Sequence, residues 1–318
     1  MLLFVARRVL VWIPSLLLIL FVVYALAFYG AGDPIKLIFL KAPGDVAYNE
    51  ARIEAVREAA GLDRPFIAQF ASYVGNLLQG DWGNSLITGQ PVWRTIAAAA
   101  PVSGQLGLAT IILTTLIAIP LGVIAALNQN GKLDYITLGA ALAVGAIPPY
   151  VVGPILMVSL ILLLPPGSIP YGWGGIFDVR VILPLLVLCM APVSIIVRQT
   201  RAAVIEVMND DFIRTARAKG LPERIVVLRH MMRPVLTPVV TQLGIIMISL
   251  VNGAIFVELV FGLPGLGRLA VQSTVDNDYP VILAVTLIGA ALVMLSNLVV
   301  DLAYPLLDPR AHAARSDR

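Results

Sequence analysis

No charged residue occurs between Asp134 and Asp178, and that one stretch is about twice the ~20 residues a helix needs to cross a bilayer. Such a run can be buried in a membrane or in the core of a large soluble protein, and composition decides between them. Of 318 residues, 59% are hydrophobic and only 13% charged, against about 25% charged in a soluble domain. Too few charges remain to cover a water-facing surface. Those present cluster in a few segments, with long apolar runs between them. The chain reads as an integral membrane protein.

Uncharged windows near 9–29, 103–127, 135–163, 181–198, 236–257 and 281–303 predict an all-α, polytopic fold with six transmembrane helices. Pro148-Pro149 and Gly153-Pro154 interrupt the third, which predicts a kink there. Proline is tolerated in a membrane helix when neighbours or water satisfy the freed carbonyls, so the kink can face a central cavity or be a purely structural bend. Arg7 and Arg8 precede the first run, and Ala25-Leu26-Ala27 imitates a signal-peptidase site. The run is longer than the about 7–15 residues of a signal core, so the first span is expected to stay uncleaved. Cys189, the single cysteine, lies in an apolar stretch and reads as a small buried core residue.

Orientation follows from where Lys and Arg fall in short loops. One side holds Arg7, Arg8, Lys132, the dense set from Arg198 to Arg233, and Arg310, Arg315 and Arg318; the other side's short loops offer only Arg180 and Arg268, and the segment near 30–102 is too long for the charge rule to govern. Both termini are therefore expected in the cytoplasm, and the net charge of +3 reflects loop asymmetry, with no nucleic-acid footprint. The expected organisation is a first helix over 1–30, an extracytoplasmic helical segment over 31–102, a membrane core over 103–304 carrying a cytoplasmic loop at 198–235, and a tail over 305–318. Within 31–102, Ile53, Val56 and Ala60 share one helical face, and a second amphipathic pattern runs from Phe66 through Phe70, Tyr73 and Leu77. It reads as a small helical cap, with or without a ligand role.

Residues 198–235 are the most informative. Asn209 is a candidate N-cap, Asp210 and Asp211 suit the first turn of a helix, and Arg217 and Lys219 suit its last. Gly220 is placed for a left-handed C-cap, and Pro222 prevents continuation. The pattern predicts a helix from Asp210 to Lys219, with Phe212, Ile213 and Ala216 as an apolar patch. A helix of that kind can lie on anionic headgroups or dock into a protein groove; its acids and small apolar face favour docking.

Asp211-Phe212-Ile213-Arg214-Thr215-Ala216-Arg217-Ala218-Lys219-Gly220-Leu221, followed by Arg229-His230, Arg233 and Pro238, resembles the coupling loop of ABC-importer permeases, and specifically the oligopeptide/dipeptide permease family. Further segments resemble the same family in the same order: Gly32-Asp33-Pro34, Gly61-Leu62-Asp63-Arg64-Pro65, Gly80-Asp81-Trp82-Gly83-Asn84-Ser85, Val257-Glu258, Phe261 to Arg268, Asp278-Tyr279-Pro280, Asn297 to Tyr304 and Asp308-Pro309-Arg310. The wider family's loop begins Glu-Ala-Ala, and Thr215-Ala216-Arg217 stands in that place here. The resemblance implies a type I ABC importer permease in which 211–220 meets an ATP-binding subunit. It also implies a second permease subunit, two ATP-binding subunits holding ATP and Mg, and an extracytoplasmic substrate-binding protein that delivers a peptide. Glu258, Pro264, Gly265 and Gly267 are candidate residues of the outer-face loop. Nickel and glutathione importers share this permease type.

No phosphate-binding Gly-rich loop, metal-spaced His/Cys/Asp set or catalytic triad occurs in the sequence. The chain is thus expected to be no enzyme and to bind no cofactor or metal itself. An ion-coupled carrier would need ionisable groups within the membrane; the candidates, Glu258 and Asp301, fall near span ends. Gln105, Ser159 and Asn252 are candidate lining residues of the translocation path. An uncleaved first span predicts that N-terminal sequencing of the membrane-embedded protein finds no chain starting at Phe28, and a start there would overturn it.

Overall fold

The computed structural model describes residues 2–30, 64–165 and 168–307. The amphipathic pattern at Ile53, Val56 and Ala60, the Gly32-Asp33-Pro34 segment and the tail beyond Leu307 lie outside them. Eleven helices follow in order among the described residues: α1 Leu2–Gly30, α2 Phe66–Leu78, α3 Val92–Leu127, α4 Lys132–Ala146, α5 Pro149–Leu163, α6 Ile182–Met208, α7 Asp211–Ala218, α8 Glu223–Ile225, α9 Met232–Phe261, α10 Leu266–Asp276 and α11 Tyr279–Leu307. A 3₁₀ turn, Val179–Val181, leads into α6, and a π-helical segment, Val226–Met231, joins α8 to α9. Among the described residues the only β pairing is the isolated bridge between Asn84 and Pro91. Among the described residues, four helical segments are long and apolar enough to cross a membrane, and up to six spans result if each of two bent pairs is one span.

The third span departs from the expected single kinked helix. It breaks into α4 and α5 with an 85° bend. Ile147 and Pro148 are both extended, because each precedes a proline and the following ring excludes the helical conformation. Pro149 then starts α5 at a position where no amide is missed. Gly153-Pro154, expected to interrupt the same span, stays inside α5. The helix α10 was not legible as a separate element; with Ala254–Phe261 it makes the second bent pair.

By contacts the chain divides into two units, residues 1–101 with 268–292, and residues 102–267 with 293–318. In the first, α1 and α2 meet through aromatic rings. Phe21 packs edge-on against Phe66 and Phe70, with centroids 5.5 and 5.3 Å apart, and Tyr24 lies between Phe70 and Tyr73 at 5.6 Å from each. Each such pair adds about 0.5–1.5 kcal/mol beyond area burial. The Gly83–Pro91 loop is pinned by buried Asp278, which accepts from the Ser85 hydroxyl at 2.5 Å and the Leu86 amide at 3.1 Å.

In the second unit α6 is the central element. Twelve of its side chains, from Pro184 to Val207, are buried, and small residues let neighbours approach it closely. A Cβ on Gly122 of α3 would stand 2.6 Å from the Thr200 Cβ and 2.8 Å from the Val197 carbonyl. On α4, a Cβ at Gly145 would run into the Ser194 side chain. Where lipid tails compete on equal terms with Leu, such close backbone approach supplies the dispersion contacts that hold helices together. Gly122→Leu or Gly145→Leu should therefore destabilise the fold by about 1–3 kcal/mol through overpacking. Gly139→Leu, on the same α4 but with open space around it, should be tolerated; thermal denaturation of the purified protein in detergent separates the three.

Candidate functional site

The α6–α9 connection starts where α6 ends. Asn209 closes α6: its side-chain amide donates to the Ile205 carbonyl at 3.0 Å, and its backbone amide donates to Glu206 O. The expected N-cap role passes instead to Asp210, which is extended (φ −68°, ψ 148°) and whose carbonyl accepts from Ile213 and Arg214 N–H. The shift has a local cause, since Asn209 has helical dihedrals and an N-cap residue must leave them. The resulting helix α7 is Asp211–Ala218, eight residues, shorter at each end than Asp210 to Lys219.

Lys219 caps α7, and Gly220 follows at φ +75°, its amide donating to Arg217 O at 2.9 Å. Pro222 is extended and its carbonyl accepts from Ile225 and Val226 N–H, so the chain re-enters a helix at once. Arg217 bridges the turn, donating from Nη2 and Nε on one edge of its guanidinium to the two carboxylate oxygens of Glu223, at 2.6 and 3.2 Å. This hydrogen-bonded pairing holds the Glu223 carboxyl below its ordinary range against a smaller opposing effect of burial. Its contribution is present above the usual glutamate range and lost as pH falls through the lowered value; both groups are well exposed, so it is small. Arg214 and Asp211, 3.5 Å apart and almost fully exposed, add little.

The expected apolar patch divides into two faces. Ile213 is 0% exposed and Ala216 is buried, both in the hydrophobic cluster that contains Val204, Val207, Val226, Val227 and Met231. Phe212, by contrast, is 46% exposed. At about 100° per residue Phe212 stands at the edge of the stripe, one turn from Ala216, and the buried seat is filled by Ile213 and Ala216 alone. Phe212, Arg214, Thr215, Arg217, Ala218 and Lys219 form the free face. The segment under α7 is π-helical, a wider turn often found at functional sites, and its buried Val226, Val227 and Met231 form the seat for Ile213 and Ala216.

One residue that carries structure here was missed by sequence reasoning. Asp134, 1% exposed in the first turn of α4, accepts a two-point contact from Arg201 of α6, at 2.6 Å from Nε and 2.7 Å from Nη2. Asn130 N–H adds a third bond at 2.9 Å. The signal was available: an acid at the edge of the longest uncharged stretch, where an ionisable group needs a partner.

Glu258 lies near the end of α9 and is fully buried. Its carboxylate accepts from the Ser103 hydroxyl at 2.6 Å, and that hydroxyl accepts from the Leu266 amide at 2.7 Å. Its backbone carbonyl accepts from Leu263 N–H, while Gly262 turns the chain at φ +68°. A Cβ on Gly265 would collide with the Glu258 carboxylate, and one on Gly267 would stand 2.9 Å from it. The fold thus brings Glu258, Gly265 and Gly267 into one buried knot and leaves Pro264 exposed beside it. By contrast, Gln105 is exposed on α3, and Ser159 on α5 donates its hydroxyl to Ile155 O in its own helix. Asn252 is in α9, with its side chain outside the described set.

At Gly220 the left-handed backbone has open space around it, so the constraint is conformational and not one of size. Gly220→Val should cost about 1–2 kcal/mol locally, whereas Gly220→Asn should be close to neutral because Asn enters this region readily. Hydrogen exchange across 211–220 would read the difference as faster exchange in the Val variant alone.

Comparison with known proteins places this geometry in a family. The model for "Binding-protein-dependent transport system inner membrane component" matches residues 118–313, and that for the N-terminal part of the same membrane component matches residues 1–107. The chain is 36% identical over 313 residues to the oligopeptide transport system permease protein OppB of Escherichia coli K12, covering 98% of this chain and 99% of that one. It is 38% identical over 323 residues to the oligopeptide permease protein AppB of Bacillus subtilis, covering 96% and 98%. The glutathione transport system permease protein GsiC of Pectobacterium atrosepticum is 36% identical over 307 residues, with 95% and 96% covered. Among solved structures, a chain of the inward-facing MetNI methionine ABC transporter superposes with a TM-score of 0.51 at 19% identity, covering 68% of this chain and 94% of that one. The fold is therefore that of a type I ABC importer permease, and the chain belongs to the family of binding-protein-dependent transport system inner membrane components.

Proposed function

We propose that this chain is the permease subunit of a peptide-importing ABC transporter, forming half of the translocation path with a second, related permease. The observation that carries the reading is α7: a short helix seated by buried Ile213 and Ala216, with Phe212, Arg214 and Lys219 exposed around the rest of its surface. An anchored helix with exposed aromatic and basic knobs suits a groove on a partner protein. Near full-length identity to two oligopeptide permeases supports peptides as the cargo. Similar identity to a glutathione permease keeps that small peptide within the same class, and nickel would require a different loaded binding protein.

The arrangement of Lys and Arg supports a cytoplasmic location for α7 and both termini. There, two ATP-binding subunits holding ATP and Mg would close and displace α7. The displacement would pass to α6 and, through the π-helical segment, to α9. A substrate-binding protein would release its peptide at the opposite face. This chain contributes the path and the docking helix, and hydrolysis belongs to the partners.

Reconstitution of the permease pair with its ATP-binding subunits and binding protein in vesicles should give ATP-driven uptake of a labelled oligopeptide. Phe212→Asp, an exposed change that spares the core, should reduce uptake about tenfold or more, as loss of ~1.4 kcal/mol at a docking hot spot would. Uptake equal to wild type in that variant would sink the docking role, and uptake of nickel alone would sink the peptide assignment.

A further inference from the structure

If α7 is pushed by a partner, as the proposed function holds, something must carry that movement beyond the helix it is tied to. α7 follows α6 after two residues, and Arg201 sits about two turns before the end of α6. Its fork grips Asp134 by both oxygens, and the same carboxylate holds the Asn130 amide. Asn130 has φ +62°, a conformation that non-glycine residues adopt uncommonly. Asp134 thus gathers three parts on one carboxylate: the α3–α4 turn, the first turn of α4, and α6. The preceding residue of α6, Thr200, closes against Gly122 of α3, so all three helices meet at this level.

Stability alone explains the pair poorly. Asp134 is buried and Arg201 only partly exposed, and taking charge out of water costs so much that well-packed apolar residues of the same volume often hold a fold as well or better. What an apolar contact does not supply is direction. A two-point guanidinium–carboxylate contact sets angle as well as distance, while smooth apolar faces can slide.

We propose that Asp134 and Arg201 are positioning residues for transport. They lock the α3–α4 turn and the start of α4 to α6, so that displacement of α7 reaches α4 and, across the bend at Ile147-Pro148, α5. The inference rests on the transport reading, and its test is built to fail separately from it.

The test uses the reconstituted complex with the double replacement Asp134→Leu/Arg201→Met, which removes both charges and leaves neither unpaired. The complex should assemble and hydrolyse ATP at close to the wild-type rate, while peptide taken up per ATP falls at least about fivefold, the low end of coupling between sites. Arg201→Lys, which keeps the charge but loses the fork, should lower the same ratio by less. Spin labels at Gln129 and Glu206, both exposed, report the linkage between the α3–α4 turn and α6 without any substrate. Their separation should be unchanged by ATP and vanadate in the otherwise wild-type chain and should shift in the double replacement. A wild-type uptake-to-ATP ratio in the double replacement overturns the proposal, as does a label separation that behaves identically in both chains. Should the double replacement not assemble, a wild-type ratio in Arg201→Lys overturns it and a lowered ratio supports it. A wild-type complex that takes up no peptide refutes the transport reading, while the label distances still decide the role of the pair.

Discussion

The membrane core depends on how closely other helices approach α6. Gly122 of α3 and Gly145 of α4 stand where any side chain would meet Thr200 or Ser194, and the Asp134–Arg201 pair lies at the Thr200 level. In a bilayer, water does not drive helices together, so contact has to come from backbone proximity and polar pairing. Both are present on one helix here. The remaining core side chains, from Val102 to Leu263, gather into one cluster around it.

From that frame the α7 loop gains its stiffness. A helix of eight residues is far too short to persist alone in water. It exists because Ile213 and Ala216 are buried on Val226, Val227 and Met231, because Gly220 adopts a left-handed turn, and because Arg217 clasps Glu223 across it. The free face is consequently presented at a fixed angle to the end of α6. The Glu258 knot does comparable work at the other end of α9. A carboxylate at the end of a span is there a buried structural acceptor for Ser103, closed over by Gly265 and Gly267. This geometry weakens a proton-relay reading of Glu258, because the group is packed into a turn and its approach is filled by backbone.

Much of the site could be read from residue order. The acids before Phe212, the bases before Gly220 and the proline after it mark a short helix by capping and dipole preferences, which act within a turn of their source. Its register was legible to within a residue or two, since Asn209 and Asp210 are both acceptable N-caps and only the length of α6 chooses between them. Polarity in a membrane helix does not by itself mark a lining residue, because it can be spent on the helix's own carbonyls, as Ser159 does on Ile155.

The amino-acid order by itself determined that the chain spans a membrane, where its α-helical runs lie and which loop carries the short capped helix, because hydrophobic length, proline, glycine and charge are local properties. Only the tertiary structure decided that Pro148-Pro149 makes an 85° bend while Gly153-Pro154 makes no break, that Phe212 is free while Ile213 is buried, and that Asp134 meets Arg201. Each of these depends on what a distant segment places opposite a residue, and no periodicity along one helix encodes the partner across the gap.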